Sequence, residues 1–237
     1  MGNADQSDLV SVYGGGESLP GVLPSEPMGL ASAWFEEAQR RGDQPNANAM
    51  TLATLEPDGG VSARIVLCKS FVADPGYVVF YTNYQGRKGR ALAANPRAAV
   101  VFHWDHQDRQ VRIEGPVVRS PASESDAYFA NRPWESKIGA WASAQSEPIA
   151  SREQLLAQVD EAMARFGLVA GELAAGDRSV VVPRPAHWGG WRVWAERVEL
   201  WVGGVGRVHD RARWVRGLRT SGDGFEGGPW SATRLSP

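Results

Sequence analysis

The run RQVRIEGPVVRS, residues 109–120, alternates apolar and polar positions with few interruptions. A period of two places successive side chains on opposite faces of an extended strand, whereas a helix would scatter them around its axis. Comparable runs begin at residue 49: AMTLATL (49–55), SARIVLCKSF (62–71), GYVVFYTN (76–83) and AAVVFHW (98–104). They return late in the chain as WRVWAERVELWVG (191–203), ARWVRGL (212–218) and WSATRLSP (230–237). EPDGG (56–60) reads as a tight connection, and residues 217–229 read as a Gly-rich loop. Many strands of similar length joined by turns predict a β-rich α+β protein, an antiparallel barrel with helices around it.

The helical segments carry their own signals. Gly29–Arg41 sets Leu30, Trp34, Phe35 and Ala38 on one face, and Gly42 is a natural stop. Residues 87–96 predict a short helix ended by Asn95-Pro96. Ser120-Pro121 predicts an N-cap with proline at the first helical position. SREQ (151–154) fits a capping box, with Leu155, Val159, Met163 and Phe166 on the buried face behind it. Residues 1–27, rich in Gly, Ser, Pro and Asp, predict a mobile arm, which leaves 28–237 as a single domain.

Composition narrows the function. With 43% hydrophobic residues and 237 in all, the chain can bury a sizeable core. Its net charge of −2 excludes a general attraction to nucleic acid or membrane, so any anion site must be local. One cysteine, Cys68, cannot build a disulfide framework and reads as a small buried hydrophobe. No apolar run has signal-peptide or membrane-spanning character, so the expected compartment is the cytoplasm.

No dinucleotide-binding or Walker glycine motif occurs in the right context. His103 and His106 have no third ligand nearby in sequence, so no metal is expected. The cations say more. Arg64 and Lys69 flank IVLC, while Arg87 and Lys88 open a short helix, where free backbone N–H groups favour a phosphate. Alone, Arg87 and Lys88 read more readily as solvated surface residues. RQV (109–111) and AQSEPI (144–149) add amides and hydroxyls able to read a ring edge. In GGVGRVHDR (203–211), Arg207, His209 and Arg211 would share one face of an extended chain. These residues by themselves describe a soluble β-rich protein with a site for a phosphorylated ligand.

Longer segments, in order, carry a resemblance. RIVLCKSF, VVFYTNYQGRKGRALAANPRAAVVFHW, RQVRIEGPVVR, YFANRPWESKIGAWASAQSEPI, HWGGWRV, VELWVGG, RVHDR and the terminal RLSP together resemble the pyridoxamine 5′-phosphate oxidase family over roughly residues 45–237. The resemblance implies an FMN-binding split β-barrel, antiparallel and of Greek-key type, with flanking helices. It implies a homodimer with FMN between the subunits. It implies flavin contacts at Arg64, Ile65, Val66, Leu67, Lys69, Tyr81, Thr82, Arg87, Lys88, Gln110, Gln145, Ser146, Trp201 and Arg211. Substrate contacts would fall on Lys69, Tyr128, Arg132 and Ser136 for a phosphate, and on Arg207 and His209 over the ring, these two being the implied catalytic pair. The implied reaction converts pyridoxamine or pyridoxine 5′-phosphate to pyridoxal 5′-phosphate, with dioxygen reduced to hydrogen peroxide. Arg207 would position and polarise rather than act as a base, because guanidinium does not deprotonate.

One feature departs from that family: the arm YGGGESLPGVLPSEP has no arginine before Arg40. ESLPG resembles the related phenazine-biosynthesis oxidases. Two alternatives therefore stand beside the first reading: an oxidase acting on a dihydrophenazine carboxylate, and a non-catalytic flavin or haem carrier on the same barrel.

Overall fold

The computed structural model describes residues 12–13, 16–169 and 181–237. Among them run α1 (Met28–Arg41), β1 (Ala49–Leu55), β2 (Val61–Leu67), β3 (Ser70–Val72), β4 (Tyr77–Asn83), α2 (Arg87–Ala94), β5 (Arg97–Trp104) and β6 (Arg109–Arg119). Three helices follow, α3 (Ala122–Ala130), α4 (Trp134–Ala142) and α5 (Arg152–Arg165). The chain then returns to strands: β7 (Trp188–Trp194), β8 (Arg197–Val202), β9 (Asp210–Val215), β10 (Leu218–Ser221), β11 (Gly224–Gly227) and β12 (Ser231–Leu235).

The main sheet is antiparallel, in the order β12-β9-β8-β6-β5-β1-β2, with β3, β4 and β7 joined to it. The long strand β6 closes the barrel. Its first half pairs with β8 (Arg109↔Val202 to Glu114↔Arg197) and its last residues pair with β7 (Val117↔Val193 to Arg119↔Trp191). The switch occurs at Gly115, where a Cβ would lie 2.0 Å from the Trp194 carbonyl oxygen. Only glycine permits that approach.

Alternation sorts the two faces. Leu52, Val100, Ile113, Val198 and Trp214 point inward and are fully or nearly fully buried. Helix α1 covers this core with Ala31, Trp34, Phe35 and Ala38. Phe35, Phe71 and Phe102 cluster with ring centroids 5.3–5.9 Å apart, each pair contributing about 0.5–1.5 kcal/mol beyond burial. A second apolar cluster, with Phe129, Ile138, Met163 and Trp188, joins the later helices to β7.

Several boundaries differ from those the sequence predicts. The run 62–71 is broken at Cys68-Lys69, because Cys68 N–H still donates to Asn48 O while Lys69 N–H donates across to Val79 O. The run 191–203 is broken at Ala195-Glu196, where the chain leaves β4 and the last residues of β6 to begin a strand paired with the first half of β6 and with β9. Residues 217–229 contain a hairpin, β10 with β11, rather than only loop. Ser120 does not cap α3: its N–H donates to Gly190 O, extending the ladder, and Pro121 takes the cap position. Ser151 does cap α5, accepting from Gln154 N–H at 3.2 Å, but Gln154 reaches back to Ala150 N–H. Gly42 ends α1 in the left-handed conformation, φ 64°.

Residues 1–11, 14 and 15 of the expected arm lie outside the described residues. Residues 16–27 lie against the barrel: Leu19 is 2% exposed, its N–H donates to Asp210 Oδ2, and Trp214 Nε1 donates to Pro24 O. No helix among the described residues is long and apolar enough to cross a membrane.

Candidate active site

A cavity of about 510 Å³ opens between β2, β4, α2, α3 and α4. Its walls bring together Ile65, Val66, Leu67, Lys69, Tyr81, Thr82, Lys88, Tyr128, Arg132, Ser136 and Gln145, eleven of the residues expected from the sequence. Asn131, Pro133 and Trp188 complete it. Tyr81, Tyr128 and Trp188 stack nearly parallel, with Tyr81–Tyr128 centroids 4.0 Å apart at 7° and Tyr81–Trp188 centroids 5.4 Å apart at 10°. Burial pushes the Tyr81 hydroxyl up to about 12, so it stays a neutral hydroxyl near neutral pH.

Of the three lining residues that the sequence reading did not name, Trp188 is the aromatic one. It lies within HWGGWRV and faces Asn83 across the β4–β7 pair. The Arg132 guanidinium carbon sits 4.6 Å above its ring, a cation–π geometry. Burial lowers the Arg132 pKa, and its Nη1 is buried with no hydrogen-bond partner among the described residues. Such a group is costly to leave unmet and marks where a ligand anion can bind.

Lys88, in the first turn of α2, donates Nζ to Thr82 Oγ1 at 3.1 Å and to Gln145 Oε1 at 2.7 Å. Both partners are neutral. Burial, with the neighbouring Arg64 charge, holds its ammonium below the ordinary lysine range. Arg64 points to the barrel side of β2 and donates to Thr54 Oγ1 at 2.6 Å and Ser62 Oγ at 2.7 Å. Glu56 Oε1 lies 3.6 Å from Arg64 and 3.4 Å from Arg87. One carboxylate thus faces Arg64 and Arg87, while Lys88, near enough to Arg64 to feel its charge, brings a third cation to the helix start.

The remaining expected residues lie elsewhere. Ser146, exposed and left-handed at φ 74°, follows Gln145. Gln110, Trp201 and Arg211 are aligned across β6, β8 and β9 by the pairs Gln110↔Trp201 and Trp201↔Arg211. Trp201 and His209 line a second cavity of about 440 Å³, with Glu17, Ser18, Asp108 and Asp210. The His209 ring lies 4.6 Å from that of Trp201, and His209 Nδ1 accepts from Gly204 N–H at 3.1 Å. The neutral ring therefore carries its proton on Nε2.

The expected face shared by Arg207, His209 and Arg211 is not formed. Val205–Arg207 is a short 3₁₀ turn with Gly206 and Arg207 both at positive φ, and the strand starts only at Asp210. Arg207 is exposed, whereas Arg211 is tied to Glu199 Oε1 at 3.0 and 2.7 Å.

Comparison with known proteins gives the family. Residues 36–166 match a family sequence model described as pyridoxamine 5′-phosphate oxidase. Residues 188–237 match one described as the pyridoxine 5′-phosphate oxidase C-terminal dimerisation region. The chain is 47% identical over 231 residues to the pyridoxine/pyridoxamine 5′-phosphate oxidase of Bordetella avium, covering 98% of this chain and 99% of that one. It is 47% identical over 212 residues to the protein of the same name from Rubrobacter xylanophilus, covering 90% and 87%. Among solved structures it is similar to PhzG from Burkholderia lata in complex with tetrahydrophenazine-1-carboxylic acid, with TM-score 0.74 and 28% identity over 93% of this chain and 100% of that one. A pyridoxamine 5′-phosphate oxidase-related, FMN-binding protein from Nostoc punctiforme shares the fold, with TM-score 0.62 and 15% identity over 89% and 97%. With its antiparallel split barrel and both halves of its sequence matched, the chain belongs to the pyridoxamine 5′-phosphate oxidase family.

Proposed function

We propose that the protein binds FMN and oxidises pyridoxamine or pyridoxine 5′-phosphate to pyridoxal 5′-phosphate in the cytoplasm. The observation that carries this reading is the first cavity, whose Arg132 Nη1 is buried without a hydrogen-bond partner among the described residues, beside Lys69, Tyr128 and Ser136. A phosphate there would meet a guanidinium, an ammonium and two hydroxyls. A second anion fits at α2, where Arg64, Arg87 and Lys88 converge. Two anion sites suit a phosphorylated cofactor and a phosphorylated substrate.

Bound there, FMN would supply the two-electron acceptor that no side chain provides. The protein's residues would bind and orient. Arg132, Ser136 and Tyr128 would anchor the substrate phosphate, so the reacting carbon is held by a contact remote from it. His209 would donate from Nε2, and Arg207 would supply fixed positive charge. For the amine substrate, two electrons pass to dioxygen, which becomes hydrogen peroxide, and water replaces the amine, released as ammonia.

The active unit is proposed to be a homodimer. Lys69 and Leu67 lie at the β2 end of the sheet order and Trp201 on β8, four strand spacings apart, about 19 Å along the sheet at about 4.8 Å each. The outward residues Val61, Ile65 and Leu67 of β2 are 79, 63 and 37% exposed, an apolar edge suited to a second copy. The description of the matched C-terminal family model agrees.

Purified protein incubated in air with FMN and pyridoxamine 5′-phosphate is expected to turn yellow and form pyridoxal 5′-phosphate, followed by chromatography. Flavin-loaded protein that forms none would overturn the reading. The likeness to PhzG favours a second substrate class, reduced phenazine carboxylates; turnover of tetrahydrophenazine-1-carboxylic acid, and not the phosphate ester, would select it. Flavin uptake with neither turnover would indicate a carrier.

A further inference from the structure

The N-terminal arm has no arginine or lysine before Arg40, yet charge fastens it to the barrel. Arg109, the first residue of β6, donates Nε to Glu17 Oε2 and Nη2 to Glu17 Oε1, both at 2.7 Å. Its Nη1 donates to Glu37 Oε2 of α1 at 2.6 Å, and its guanidinium carbon lies 4.9 Å from the Trp34 ring centroid. The Arg109 side chain is 8% exposed. Burial opposes its charge, but the hydrogen bonds to Glu37 and Glu17 outweigh it and raise its pKa. Glu37 in turn is held below the ordinary carboxylate range by its bond from Arg109.

The same clamp shapes a site. Gly16, Glu17 and Ser18 form one wall of the second cavity, and Trp201 and His209 belong to the same lining. Behind that wall the arm is pinned by Leu19 N–H on Asp210 Oδ2 and by Arg234 on Pro20 O, at 2.9 and 2.7 Å. Ahead of Leu19, the Glu17–Arg109 pair is the one ion pair of the arm among the described residues. The wall's place therefore depends on a bidentate pair with strict geometry, which a neutral amide cannot reproduce.

We propose that Glu17 is a positioning residue: the Glu17–Arg109–Glu37 clamp sets the arm against the His209 side of the site and so governs how tightly the substrate is held there. The proposal rests on reading that cavity as the substrate side of an oxidase. Glu17 touches neither the reacting atoms nor the cation-lined cavity. It acts through the arm backbone.

The test uses the full chain with Glu17→Gln and Arg109→Lys. Hydrogen exchange of residues 16–24, measured without substrate, reads arm docking directly. Glu17→Gln is expected to raise exchange there while α1 stays protected and FMN stays bound. KM for pyridoxamine 5′-phosphate should rise on the order of tenfold with kcat within about twofold, the signature of lost uniform binding. Arg109→Lys, which keeps the charge but not the fork, should show a smaller rise in both exchange and KM. Unchanged exchange in Glu17→Gln would overturn the clamp. Raised exchange with an unchanged KM, or a lowered melting temperature alone, would reduce it to a structural tie and overturn the positioning role. Wild-type protein that binds FMN but makes no pyridoxal 5′-phosphate would remove the reading of the reaction instead; the affinity of pyridoxal 5′-phosphate for the wild type and Glu17→Gln then replaces KM, and equal affinities overturn the proposal.

Discussion

The two ends of the sheet treat charge in opposite ways. Beside β2 and β4, among the described residues, Lys88 meets only the neutral oxygens of Thr82 and Gln145, and Arg132 Nη1 has no hydrogen-bond partner. Beside β8 and β9, the buried or half-buried charges are matched. Glu199, 3% exposed, accepts from both Arg112 and Arg211, Asp210 accepts from Arg234 and Leu19 N–H, and Arg109 holds two carboxylates. A buried cation without a counter-ion lowers stability, so it belongs where a ligand will bring the anion. A matched charge fixes chain geometry instead. Cations in the first region should therefore act on binding, and those in the second mainly on stability and order.

The sharpest way to break this contrast is Arg132→Ala. It removes the guanidinium from the proposed substrate-phosphate site and should lower kcat/KM for pyridoxamine 5′-phosphate by on the order of a hundredfold, from hydrogen bonds of about 1.5–3 kcal/mol each. Steady-state kinetics beside a flavin titration checks it, since FMN should remain bound.

Lys88→Ala comes next. FMN affinity should fall about tenfold to a hundredfold by fluorescence titration, while the flavin-free protein loses no stability. The sign follows from its pKa. A lysine whose folded pKa is depressed is less readily charged in the folded chain than in the unfolded one, so its charge weakens the fold below that folded value. Stability of the flavin-free protein should accordingly rise as pH climbs through the folded Lys88 value toward the ordinary lysine range, and this rise should vanish in Lys88→Ala.

Arg211→Ala tests the matched region. It leaves Glu199 with Arg112 alone and should cost about 1–3 kcal/mol, several degrees in melting temperature for a chain of this size. A loss of flavin with no loss of stability would erase the contrast between the two ends. The smallest effect expected is in acid. Glu37 has a depressed folded pKa, so its contribution is full above its unfolded value, about 4.3, and is lost only as pH falls through the lower folded value. Hydrogen exchange of residues 16–24, corrected for its intrinsic pH dependence, should therefore stay slow down to about pH 4.3 and quicken below it; quickening already above about pH 5 would contradict this.

Local patterning made much of the barrel legible. AMTLATL and RQVRIEGPVVR became strands within a residue of their predicted limits, because alternation and turn residues act over a few positions. The lining of the first cavity was legible for a different reason: the matched segments belong to a shared family, and the residues named from them converge. Trp188, the platform beneath Arg132, went unnoticed because an aromatic in a strand looks like any core residue.

By itself the sequence determined which residues alternate, where α1 stops at Gly42, and which cations are available to meet phosphate. It did not mark the breaks at Cys68-Lys69 and Ala195-Glu196, since both runs are locally continuous and only barrel closure forces the chain to change partners there. Nor did it show which cations are spoken for. Arg211 and Glu199 lie twelve residues apart and Arg109 and Glu17 ninety-two apart. Charge neutralisation acts through space over a few ångströms, so only the folded chain shows which arginines already have a carboxylate partner.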